Sequence, residues 1–185
     1  MTSSPDISLP PCAPELGAYG DRNWDDASFA IYTLIDVTED ELQSIATTLD
    51  KEWMENQGNE GSHLVRVAPR YKFAGKSLEN IVQAHIEMDK DETPRDDAAA
   101  RGDLNWYPTA FLILTRRDWM ERGLLFVYAD IEKDDCPMDK FFFLPKDAYM
   151  MLSSISFGDE ECARCKEIYE IKVDESTGGS SCPHY

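Results

Sequence analysis

The chain is expected to fold as a single α/β (or α+β) domain, a mixed central sheet of about five strands with helices on at least one face. Three observations carry that expectation. Short runs that are apolar on both faces alternate with segments of helical period. One helical segment opens on a complete capping box. The 185 residues, 42% hydrophobic with 8 Phe, 8 Tyr and 4 Trp, are enough for one well-filled core.

Residues 1–26 are rich in Pro, Ser, Gly and Asp and their few apolar side chains keep no period, so a flexible N-terminal arm or an extended wrap is expected ahead of a domain at 27–173. Phe29 to Ile35 is apolar except for Thr33, the pattern of a strand covered on both sides, and it stops at Asp36. Thr38 and Glu41 then form the capping box, after which Leu42, Ile45, Ala46, Leu49 and Trp53 recur at helical spacing toward Gly58. His63 to Ala68 predicts a second strand, and Ser77 opens a helix with Leu78, Ile81, Val82 and His85 facing inward.

Asp89 to Asp103 breaks every pattern with its acids, Pro94 and an Ala triplet, and reads as a solvated loop. Ala110 to Leu114 and Leu124 to Ile131 predict two further strands, separated by Thr115 to Gly123, which holds about two helical turns at most. Phe141 to Leu144 is a short fifth strand. Pro145 suits the first position of a helix over Lys146 to Leu152, and Gly158-Asp-Glu-Glu opens a last helix with its acids at the positive end of the dipole. Residues 174–185, rich in Gly and Ser, are expected to form a flexible C-terminal tail. The expected order is β-α-β-α-β-(α)-β-β-α-α.

Several of these blocks together resemble a known pattern. Arg66 through Phe73, Gly75, Ser77 and Leu78, then Leu124 to Ile131 with Asp130, then Phe143-Leu-Pro and Leu152-Ser-Ser-Ile-Ser-Phe-Gly-Asp-Glu-Glu follow one another as in an uncharacterised family of small bacterial and fungal proteins, a domain of unknown function. The resemblance runs over residues 29–170. It implies a fold and supplies no activity.

Charge narrows the classes of partner. Eighteen basic against thirty-six acidic side chains leave a net charge of -18, a field that repels phosphate backbones and anionic membrane surfaces. Nucleic acid is disfavoured as a partner. Neither a basic, apolar leader nor a run of ~20 apolar residues is present, so a cytoplasmic protein without a membrane segment is expected. Its five cysteines, Cys12, Cys136, Cys162, Cys165 and Cys182, are odd in number and irregular in spacing and are expected to stay reduced.

Against that acidic background stands a basic island. Gly61 to Leu78 contains no acid but carries Arg66, Arg70, Lys72 and Lys76, and Arg116-Arg117 follows directly from a strand. Such a field, beside the free N–H groups of a helix start at Ser77, points to a site for an anionic small molecule, a carboxylate or phosphate, in a small metabolic or biosynthetic enzyme or a binding protein. Asp36 and Asp130 both end strands. If those strands are parallel, the two carboxylates share one edge with Arg116 as an acid/base set. The alternative for the whole chain is a non-catalytic module whose acidic surface engages a basic protein, and a third reading has the island grip the end of a nucleic acid such as a tRNA.

Other motifs read more plainly as structure. Arg70 to Ser77 approaches the phosphate loop G-x-x-x-x-G-K-[ST], but Arg70 stands where glycine is needed. Cys162-Ala-Arg-Cys165 with Cys182 and His184 has partial zinc spacing, yet Cys162, Cys165 and Tyr169 also form the inward stripe of the last helix, and no metal or cofactor is expected. Cys136 lies among acids that raise a thiol pKa. His85 reads as a hydrogen-bonded core histidine, and no nucleophile elbow gives it or His63 a partner. The acids from Asp89 to Asp97 lack the turn glycine of a calcium loop.

Overall fold

A computed structural model describes residues 4–88, 90 and 102–172. Ser28 has its backbone in the first strand and Phe143 in the last, and between them lie five strands, β1 (Ser28–Thr33), β2 (Val65–Lys72), β3 (Trp106–Leu114), β4 (Leu124–Ala129) and β5 (Met138–Phe143). They form one mixed sheet in the order β2-β1-β3-β4-β5. β1 is parallel to both its neighbours, with Ile31 opposite Val67 and Leu112, whereas β3, β4 and β5 are successively antiparallel. The α/β class expected from the sequence is therefore the one observed.

Helix α1 (Glu39–Asn56) starts at its capping box: Glu41 N–H donates to Thr38 Oγ1 at 3.2 Å and Thr38 N–H donates to Glu41 Oε2 at 2.7 Å. That second bond holds the Glu41 carboxyl below the usual range. Helix α2 (Leu78–Glu87) follows β2, the single turn α3 (Trp119–Arg122) links β3 to β4, and α4 (Ala148–Ser156) and α5 (Cys162–Tyr169) follow β5. Pro145–Asp147 is a 3-10 turn where the sequence predicts the start of α4.

The two sheet faces are covered differently. Phe29, Ile31, Leu112, Phe126 and Phe143 pack beneath α1, α4 and α5, while Ala30, Tyr32, Phe111, Ile113 and Val127 pack beneath α2 and the chain before β1. β1, β3 and β4 are buried along their whole length, which explains why they read as apolar runs without alternation. β2 is an edge strand, tolerates Pro69, and bulges between the pairs Ile31–Val67 and Thr33–Lys72.

Residues 4–26 form the extended wrap and not the flexible arm of the two expected alternatives. Leu16, in a 3-10 turn over Pro14–Gly17, is 1% exposed, Met138 N–H donates to Pro11 O at 3.1 Å, Ala13 N–H donates to Cys136 O at 3.1 Å, and Lys140 Nζ donates to Ile7 O. A single layer of irregular chain thus replaces a helix on part of that face. Aperiodic apolar residues suit such a wrap, because each anchors on its own contact and not on a repeating stripe. The tail expected at 174–185 lies outside the described residues.

Candidate anion site at the carboxyl edge of the parallel strands

The chain leaves β1 for β2 on one side and, after β2, returns past β1 to β3 on the other. α1 lies on one face and α2 on the opposite face. The strand order therefore reverses between β1 and β3, and the diverging connections leave a crevice at the carboxyl ends of those strands. A cavity of about 1010 Å³ lies there, lined by Ile35 and Asp36 after β1, Gly75 to Ser77 before α2, and Thr115 to Arg117 after β3.

Thr115 is the least expected member. It is 5% exposed, and its Oγ1 is the one buried side-chain polar atom among the described residues with no hydrogen-bond partner. A buried hydroxyl left unpaired costs about 1–3 kcal/mol, so a group of this kind at a crevice wall marks a place that a ligand atom can satisfy. Nothing in the sequence separates Thr115 from any other residue after a strand. The signal is a failure of pairing, which only three-dimensional neighbours reveal.

The expected cations divide. Lys76 and Arg116 line the crevice; Lys76 is exposed and pairs with no carboxylate among the described residues, while the Arg116 guanidinium lies 5.0 Å from the centre of the Phe142 ring. Arg117 also lines it but is held away, Nη2 donating to Asp36 O at 2.7 Å and Nη1 lying 3.4 Å from Glu41 Oε1. Lys72 pairs with Asp36 at 3.0 Å, and that hydrogen bond and charge raise the ammonium pKa. Arg70 projects from the edge strand over the Phe73 ring at 5.6 Å and lines no part of the cavity. Arg66 lies near the opposite ends of the strands, opposite Ala30, with Nε donating to Ser28 Oγ at 2.8 Å. The island is compact in sequence but spread along the whole of β2 in space.

The acid pair is separated outright. β4 runs antiparallel to β3, so Asp130 comes after the end of β4 that lies beside Ala110, near the start of β3's paired segment, whereas Asp36 follows the far end of β1. Asp130 pairs instead with Lys133 at 2.8 Å. The two carboxylates form no acid/base set.

The N-terminal chain reaches this crevice. Ser4, Pro5 and Asp6 line it, and Asp6 O accepts the Leu78 N–H at 2.9 Å, occupying a donor at the first turn of α2. Asn80 Oδ1 accepts from Ser77 N–H and Ser77 Oγ, both at 3.1 Å. Gly75 has φ +74°, which supplies the turn that brings Lys76 to the rim. This is a helix start after a turn, as the glycine-deficient phosphate-loop pattern implied.

The remaining motifs are structural. His85 is fully buried, with Tyr32 Oη at 2.7 Å from Nδ1 and Tyr107 O at 3.0 Å from Nε2, and burial drives its pKa well down. Cys165 is 0% exposed and burial pushes the Cys162 thiol up to about 12, which fits packing thiols and not a redox pair. No group of three or more His, Cys, Asp or Glu side chains among the described residues is placed to hold a metal ion, and Cys182 and His184 lie outside those residues, as do most of the acids from Asp89 to Asp97. No described helix is long and apolar enough to cross a membrane. Comparison with family profiles, curated proteins and solved structures finds no match to this chain.

Proposed function

We propose that the protein binds an anionic small molecule, a carboxylate or a phosphate, in the crevice between the carboxyl ends of β1 and β3. The observation that carries this reading is Thr115, a residue that lines the same cavity as the cations Lys76 and Arg116 and whose buried hydroxyl is unpaired. An anion there accepts from the Lys76 ammonium and the Arg116 fork, and from Thr115 Oγ1 once a χ1 rotation turns the buried hydroxyl to the crevice. Each is a donor suited to carboxylate or phosphate oxygens. A local positive crevice can gather an anion on a protein of net charge -18 because short-range charges outweigh distant ones screened by salt. Asp36, paired with Lys72 at the rim, is a gatekeeping charge that disfavours ligands of high negative charge.

A thermal-shift series with inorganic phosphate, phosphosugars, nucleotides, and di- and tricarboxylates tests the reading. A ligand at a hundred times its dissociation constant adds about 2.7 kcal/mol, which moves the melting point of a chain this size by about 5–10 °C. The shift is expected for at least one anion and is expected to vanish in Lys76→Ala and Arg116→Ala variants that melt like the parent without ligand. A series in which no anion moves the melt, or in which both variants respond like the parent, overturns it.

A further inference from the structure

A second cavity lies near the opposite ends of the parallel strands. It is a groove of about 890 Å³ between α1 and the edge strand β2, and His63 projects into it with 54% of its side chain exposed. Behind His63 stands Asp50, on the buried face of α1 and only 3% exposed. Asp50 Oδ2 lies 2.5 Å from His63 Nδ1, while Oδ1 accepts the N–H groups of Leu64 at 2.6 Å and Val65 at 3.1 Å.

These bonds decide the chemistry of the imidazole. Both carboxylate oxygens act as acceptors, so the proton of the neutral ring sits on Nδ1 and the lone pair on Nε2. Two backbone N–H bonds fix the carboxylate, the carboxylate fixes the ring, and Nε2 has no hydrogen-bond partner among the described residues. Anchoring the start of β2 requires only Oδ1. A histidine held by the other oxygen, with its basic nitrogen open to a cavity, is the orienter-and-base arrangement of general-base catalysis.

The groove also limits what can be activated. Its charged groups balance: Asp50 and Glu55 face Lys51 and Arg66, with Lys51 Nζ 3.9 Å from Glu55 Oε1 and the Arg66 guanidinium 4.1 Å over the Trp106 ring. Arg66 is further engaged by Ser28 Oγ and Asn105 O. The rest of the lining is hydroxyl, amide and apolar, including Gln43, Thr47, Met54 and Asn59, which suits an uncharged polar molecule. Asn59 holds φ +59° at the rim, a left-handed conformation that non-glycine residues adopt sparingly. No side-chain hydroxyl hydrogen-bonds Nε2 among the described residues, and Thr47 and Thr48 of the lining donate instead to Gln43 O and Ser44 O, which favours water as the nucleophile.

We propose that this groove is a hydrolytic site for uncharged carboxylic esters, with His63 as general base and Asp50 as its positioning residue. Water oxygen attacks the ester carbonyl carbon as Nε2 takes the water proton. The tetrahedral adduct then breaks its bond to the leaving alkoxide, which receives that proton from Nε2, giving acid and alcohol with no redox change. Asp50 stabilises the transient imidazolium and keeps Nδ1–H in place.

The test uses the full chain and 4-nitrophenyl acetate under multiple-turnover conditions, with ¹⁵N NMR of the imidazole alongside. The expected result is a measurable turnover rate, a loss of about 10²-fold or more in His63→Gln, and the Nδ1–H tautomer in the parent. Asp50→Asn keeps an acceptor for the β2 backbone but places an NH₂ against the ring, so it is expected to shift the tautomer and lower the rate while the far-ultraviolet circular dichroism stays unchanged. His63→Gln alters an exposed side chain and decides the matter if Asp50→Asn fails to fold. An unchanged rate in His63→Gln, a rate that simply follows hydroxide, or a Nε2–H tautomer in the parent overturns the proposal.

Discussion

The two cavities of this sheet solve the problem of a buried polar side chain in opposite ways. At the carboxyl edge, Thr115 is buried with its hydroxyl unpaired; near the other edge, Asp50 is equally buried with both oxygens engaged. The difference separates two signals that are easily confused. An unsatisfied group lowers the stability of the empty protein and rewards whatever fills the site, whereas a saturated one contributes to the fold and can hold a neighbour in a reactive orientation.

The comparison yields expectations of opposite sign. Asp50→Ala leaves the N–H groups of Leu64 and Val65 without their acceptor, so a loss of about 3 kcal/mol and a fall in melting temperature of about 6–12 °C are expected in a calorimetric scan. Thr115→Val removes a hydroxyl that bonds nothing and keeps its shape, so a gain of about 1 kcal/mol, or a rise of about 2–4 °C, is expected instead. If both variants lose stability alike, the contrast between the cavities fails.

Removing residues 1–6 sharpens the comparison on the side of the anion site. It frees the Leu78 N–H from Asp6 O and opens one wall of the crevice, so tighter anion binding by several-fold, read by calorimetric titration, is expected with little change in His63 chemistry. Weaker anion binding in the shortened chain instead makes the arm part of the site.

The smallest expected effect concerns Lys90, a control lying in neither cavity. Its side chain is 1% exposed, Nζ donates to His85 O at 2.5 Å, and burial lowers its pKa to about 7. Between pH 7 and the ordinary lysine pKa the unfolded chain holds a proton that the native state has released, so stability rises with pH there. Burial raises Cys162, which above a thiol's ordinary pKa gives the opposite slope, confining the rise to about pH 7–8.5. Lys90→Met is expected to flatten that rise in melts recorded across this range.

Much of the fold was legible because local rules act within one element. The Thr38–Glu41 box and the stripe from Leu42 to Trp53 specify α1 unaided, and unbroken apolar runs mark β1, β3 and β4 as doubly covered. Strand direction is not carried by an apolar run, yet a clue existed. Thr115 to Gly123 is shorter than the dozen or so residues a parallel crossover needs, which implies the antiparallel β4 and separates Asp130 from Asp36. The packing of Leu16 and the pairing of Asp50 with His63 depend on which aperiodic residue meets which neighbour, and no pattern in the chain encodes that.

Lys76 and Arg116 were legible as cations, but Thr115 was not, since satisfaction of a hydroxyl is a property of its surroundings. The most direct measurement is therefore the affinity of the best anion for the parent and for Thr115→Val by isothermal titration calorimetry. The expected result is binding about tenfold weaker in the variant, the ~1.4 kcal/mol of one hydrogen bond to a charged acceptor, together with a raised melting temperature in the absence of ligand. Equal affinity in the two proteins would contradict the assignment of the crevice as the anion site.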